Sequence, residues 1–275
     1  MPDPLPAGRM RSLVEIVAAP GPHGTVLPVL RSDVMVAVRR TDVPGVPDPD
    51  GTAQVHLVGT AAGPLTGDEL TVRITVAAGA RLAVRSAAAT LALPAREPGL
   101  RAAAVRYELR VGAGAHLDLA TEPLVVCRGA DVATVTDLVL ADGATATVLE
   151  QVVLGRHGEE GGAWRGRTVA DVAGRPALRH TLDSRHLPGR ALVSRLELGP
   201  LPGLPGEPAV ADAPGTAVLL PLAAGGTLAT ATGADLAAAT AALSALATSV
   251  DLSGGLARDD ARSRHPGSAG VPPSG

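Results

Sequence analysis

The chain has 275 residues, 46% of them hydrophobic, and a formal net charge of −3. All its basic residues are Arg and lie interspersed with acidic ones, which excludes the basic stripe that nucleic-acid binding needs. Aromatics make up 1% and Phe is absent, so the core must be built from Val, Leu, Ile and Ala, and the single Cys127 excludes a disulfide framework or a cysteine zinc site within one chain.

Taken in chain order, residues 1–12 carry no periodic pattern and are expected to be flexible, with Met10 as an alternative start to Met1. The first 21 residues lack an apolar run of signal-peptide length. No stretch reaches the ~20 apolar residues of a membrane helix, which predicts a cytoplasmic chain with no membrane contact. Residues 42–51 (DVPGVPDPDG) read as a turn-rich loop. Period-two alternation then dominates: Leu70, Val72, Ile74 and Val76 alternate with Thr71, Arg73 and Thr75, and Val105, Tyr107, Leu109 and Val111 alternate with Arg106, Glu108 and Arg110. Three segments read as copies of one unit: 70–90, 105–126 and 135–156. Each is an alternating strand, a Gly-Ala turn (Gly79, Gly114, Gly143) and a second alternating strand, which predicts stacked strand–turn–strand layers. Residues 217–233 look like a fainter copy. A loop is expected at 199–208. A helix is expected at 232–250, from Leu236, Ala239, Leu243, Leu246 and Val250 on one face, with Thr232 and Asp235 as a capping-box-like start. Residues 253–275 are polar and rich in Gly, Pro and Ser, the composition of a disordered tail. The expectation is a single all-β domain over 13–252, with layered, superhelical or solenoid-like strands and a minor helical part near the C-terminus.

No catalytic motif appears among the residues: no GxSxG, HExxH, phosphate loop or dinucleotide fingerprint. His180 and His186, with Asp183 between them, would share one face of a strand. His157 precedes Glu159 and Glu160 in a Gly-rich loop, and imidazole with carboxylate suits a borderline divalent ion, so His157 and Glu159 are candidate metal ligands. Cys127 follows the apolar run PLVV and reads as a buried thiol. Less ordinary are three carboxylates set in apolar strand sequence, Asp68, Glu122 and Glu150, because buried charge has to be paired, solvated or functional.

These segments together resemble the UreD/UreH-type urease accessory proteins. GPLTGDELTVRITVAAGARLAVRSAAAT (63–90) is similar to that family's Gly-Asp pair, alternating strand, Gly-Ala turn and small-residue run ending in Thr. GAHLDLATEPLVVCRGADV (114–132) is similar to its middle unit. VLEQVVLGR (148–156) resembles its Glu-bearing strand before a Leu-Gly-Arg turn, with Gly158 and Glu159 at the downstream Gly-Glu. The chain departs from the pattern at Leu91, where the family has Lys, and in its missing aromatics. The resemblance implies a β-rich superhelical fold with two helices. It implies a non-enzymatic member of a nickel-insertion complex with UreF, the GTPase UreG and apo-urease, with a homodimeric arrangement in the complex. Nickel would be bound only in transit, with no tightly held cofactor, through an internal passage to which Asp68, Glu122 and Glu150 would contribute oxygen ligands. The alternative reading is a β-rich binding module without enzymatic activity.

Overall fold

The computed structural model describes residues 9–41, 50–200, 208–212 and 215–249. The expected tail at 253–275 and Val250 lie outside these residues, as do most of the expected loops at 42–51 and 199–208. In chain order the strands are β1 (Arg11–Gly21), β2 (Gly24–Arg31), β3 (Val36–Arg40), β4 (Ala53–Gly59), β5 (Glu69–Val76), β6 (Arg81–Ser86), β7 (Thr90–Ala92), β8 (Ala103–Val111) and β9 (His116–Ala120). They continue with β10 (Leu124–Val126), β11 (Asp131–Leu140), β12 (Thr145–Leu154), β13 (Ala163–Val172), β14 (Arg175–Asp183), β15 (Ala191–Leu198), β16 (Ala209–Asp212), β17 (Thr216–Pro221) and β18 (Gly226–Gly233), and α1 (Leu236–Ser249) follows.

The strands form two facing sheets, ordered β14-β13-β11-β8-β5-β1-β2 and β16-β17-β18-β15-β12-β9-β6-β4-β3. The middle of each is parallel: β1, β5, β8, β11 and β13 in the first, β4, β6, β9 and β12 in the second. The chain therefore crosses from one sheet to the other and back, one coil at a time, as a β-solenoid. The three predicted copies are successive coils.

The Gly-Ala turns show why the copies stack. Gly79, Gly114 and Gly143 have φ of +73°, +62° and +64°, where a side chain is strained. The Gly79 N–H donates to Ala113 O of the next turn at 3.0 Å, and the Gly114 N–H to Asp142 O at 3.2 Å. The alanine after each glycine (Ala80, Ala115, Ala144) is 1% exposed, buried where the chain turns from one sheet to the other. Between the sheets, Ile16, Ile74, Leu109 and Leu138 face Leu82, Leu117, Val148 and Leu198 in one apolar core. A short third side appears where β7, β10 and the end of β12 run parallel.

Two expectations are corrected. Residues 217–233 are not a further coil: β17 and β18 pair antiparallel and extend the second sheet. The helix starts at Leu236, not 232. Thr232 belongs to β18, and Asp235 alone caps the helix, its Oδ1 accepting the Ala238 N–H at 2.8 Å. Ala239, Ala242, Leu243 and Leu246 pack this helix on β15, β17 and β18 in a second small core. Among the described residues it is the one α-helix, beside a 3-10 turn at Ser184–His186.

Candidate functional site

The core does not fill the space between the sheets completely. A cavity of about 370 Å³ lies there, bounded by Leu70, Val72 and Val105 from one sheet and Leu57 and Val152 from the other. It opens at a rim formed by Ala62, Ala87, Ala88, Leu91 and Glu122, all exposed. At about 30 Å³ per liquid water, it has room for a hydrated ion.

Glu150 supplies the carboxylate inside. On β12 it shares parity with the buried Val148 and Val152, so its side chain points between the sheets. Its Oε1 accepts a hydrogen bond from Thr134 Oγ1 on β11 at 2.7 Å. Burial pushes its carboxyl above the usual carboxylate range, and the Thr134 bond offsets that only in part. Tyr107, from β8, also lines the cavity. Burial first, then the charge of Glu150, pushes its phenol up to about 12. Thr121 and Gln151 add polar groups, with the Gln151 amide donating to Thr121 O at 3.0 Å. No arginine is among the lining residues. Arg85 pairs with Asp118 and Arg156 with Glu159, and burial and the Thr134 bond, not a cation, set the Glu150 carboxyl.

Asp68 and Glu122, expected in strand sequence, lie outside the strands. Glu122 is exposed on the loop between β9 and β10, at the cavity rim, where its backbone N–H donates to Ser86 Oγ at 2.8 Å. Asp68 is 3% exposed but turned to the backbone. Its Oδ1 accepts from Met10 N and its Oδ2 from Leu65 N, both at 2.9 Å, and it does not line the cavity. The structure thus brings Glu150 and Glu122 to one cavity and places Asp68 at the chain crossing before β5.

Glu159 lies elsewhere, in an open cup with Glu160, Arg185 and Arg190. Arg156 donates to Glu159 through its side chain, at 2.8 Å from Nε, and through its backbone N–H at 3.1 Å, and this holds the Glu159 carboxyl down at about 2. His157 is exposed and not part of that cup. His180 and His186 do not share a strand face, because the strand ends at Asp183 and His186 sits on the 3-10 turn. Asp183 is held by Arg185 and Arg165. Cys127 is 1% exposed, and burial raises its thiol pKa. Among the described residues no three His, Cys, Asp or Glu side chains converge as a metal cluster.

Sequence reasoning did not single out Tyr107, Thr134 and Trp164. A signal was available: this chain has one Tyr and one Trp, and Tyr107 lines the cavity with Glu150 while Trp164 bonds Thr134, the hydroxyl that holds Glu150.

Comparison with known proteins gives consistent matches. The sequence model of the UreD urease accessory protein family matches residues 14–264. The chain is 45% identical over 168 residues to "Urease accessory protein UreD" of Frankia alni, covering 56% of each chain. It is 42% identical over 214 residues to the Frankia casuarinae protein of the same name, covering 73% of this chain and 65% of the relative. It is 37% identical over 238 residues to "Urease accessory protein UreD 3" of Streptomyces griseus, covering 81% and 90%. The match thus spans somewhat under two thirds of the length of the two Frankia relatives.

Proposed function

The chain belongs to the UreD urease accessory protein family, and from that premise we propose that it is a non-enzymatic scaffold of urease maturation whose inter-sheet cavity conducts nickel toward apo-urease. The observation that carries this reading is Glu150. A carboxylate with no cationic partner among its lining neighbours sits in a cavity large enough for a hydrated ion. An incoming divalent cation would supply the countercharge that the protein withholds. Glu122 at the rim would meet the ion first, and Tyr107, Thr121 and Gln151 offer neutral oxygens along the wall. Oxygen ligands few in number suit release rather than storage, so nickel is cargo and not a resident cofactor. His157 and Glu159, at a separate surface, would at most take up nickel outside the cavity.

In this reading the partners are UreF, the GTPase UreG and apo-urease, with a homodimeric arrangement inside the complex, and the compartment is the cytoplasm. No described helix is long and apolar enough to cross a membrane. The test is Glu150→Gln, which keeps size and hydrogen bonding while removing the charge. The expected outcome is a folded protein that still assembles with its partners, while urease activation falls. Full activation by Glu150→Gln would overturn the route.

A further inference from the structure

Glu150 is held by more than its own strand. Trp164, on β13, is 2% exposed, and its indole Nε1 donates to Thr134 Oγ1 at 3.2 Å. An indole N–H can only donate, and a threonine hydroxyl has one hydrogen. Once Thr134 Oγ1 accepts from Trp164, its hydrogen is free for the other close partner, Glu150 Oε1 at 2.7 Å. With Glu150 ionised its carboxylate can only accept, so the chain runs from indole to hydroxyl to carboxylate.

The backbone is shaped to allow it. Thr134 stands in register with Gly166 of β13, two residues beyond Trp164. A Cβ on Gly166 would lie 2.3 Å from Trp164 Cζ2 and 2.7 Å from Cη2. The indole thus lies over a position that only glycine leaves open, and this lets it lean from its own coil onto Thr134. Thr134 itself is 7% exposed and lines the cavity, whereas Trp164 sits behind it.

We propose that Thr134 is a positioning residue for the cargo ion: oriented by Trp164 over Gly166, its hydroxyl pins Oε1 of Glu150 and leaves Oε2 turned to the cavity for a divalent cation. This rests on the passage reading above and adds to it the residues that aim the ligand. Partners that hold a metal-ligating carboxylate in place fix its direction, and their loss weakens the site without removing the ligand.

The test uses the full chain with its accessory partners and apo-urease, and reads the nickel concentration for half-maximal urease activation. Thr134→Val, which keeps the shape and removes the hydroxyl, is expected to raise that concentration on the order of tenfold. Thr134→Ser should restore it, and Gly166→Ala, which displaces the indole, should shift it in the same direction as Thr134→Val. Nickel should quench the emission of Trp164, the chain's single tryptophan, in the wild type and Thr134→Ser at lower concentration than in Thr134→Val. If Thr134→Val fails to fold, Thr134→Ala against Thr134→Ser gives the same comparison. A nickel dependence unchanged in Thr134→Val, or a Thr134→Ser variant as impaired as Thr134→Val, overturns the positioning role. An unaffected Glu150→Gln would instead overturn the passage itself, so the two failures are distinguishable.

Discussion

Asp68 and Glu150 are both acids in apolar sequence, and the structure gives them opposite tasks. Asp68 receives two backbone N–H groups, from Met10 and Leu65, and so ties the start of β1 to the loop before β5. Its replacement by Ala leaves both donors without their acceptor, and denaturant unfolding should register a loss of about 1–3 kcal/mol. Glu150 receives one hydroxyl in a cavity that disfavours its charge, so Glu150→Gln should leave the unfolding midpoint at neutral pH unchanged or raised. A Glu150→Gln protein that unfolds as readily as Asp68→Ala would contradict this division. The inward direction of Glu150 is legible in the sequence, because parity with Val148 and Val152 is a local property. The sequence could not separate Asp68 from Glu150, because the donors to Asp68 come from a residue 58 positions away and from a turn whose shape is not written in strand periodicity.

At the scale of the element, the coil was legible where its signal was repeated. Three Gly-Ala turns between alternating strands specify both the φ > 0 position and the small corner residue, and three in series leave little choice but stacking. Substituting Ala at Gly79, Gly114 or Gly143 meets open space or ordinary contact, so the expected cost is that of the left-handed backbone alone, about 1–2 kcal/mol. Gly162→Ala should cost far more, since its Cβ would sit 2.4 Å from Ala130 O. Unfolding measurements on these variants check the contrast. The hairpin of β17 and β18 reads as a coil in the sequence because one alternating strand, a glycine turn and another alternating strand describe a coil and a hairpin equally well; what differs is which strand each one pairs with. The stacking also carries a pH response. His116 stands in register between Arg81 and Thr145, with Nδ1 2.8 Å from Thr145 Oγ1. Burial first, then the charge of Arg81, holds its imidazole pKa below the ordinary value. The unfolded chain then binds the proton more readily than the folded one, so this contribution is present above the ordinary histidine pKa of about 6.5 and is lost as pH falls below it. His116→Gln should flatten the fall in melting temperature between pH 7 and pH 5.

At the scale of the whole molecule, the solenoid makes two walls and leaves a gap between them. A core with a single buried Trp and no Phe fills its volume with Val, Leu and Ala, and the rim of the space at Glu150 includes the small Ala62, Ala87 and Ala88. The internal space is implied by the family resemblance and not by any strand period, because it depends on how far apart the two sheets settle once β7 and β10 form the third side. The central claim is that this space is the route of the cargo. Its most direct test is to obstruct the space itself. Cys127, the native thiol, is 1% exposed, so Ala88→Cys at the exposed rim of the cavity can be labelled selectively with a bulky maleimide. The prediction is that unlabelled Ala88→Cys activates urease as the wild type does, while the labelled protein assembles with its partners and fails to activate. Labelled protein that assembles and activates urease fully would contradict the account.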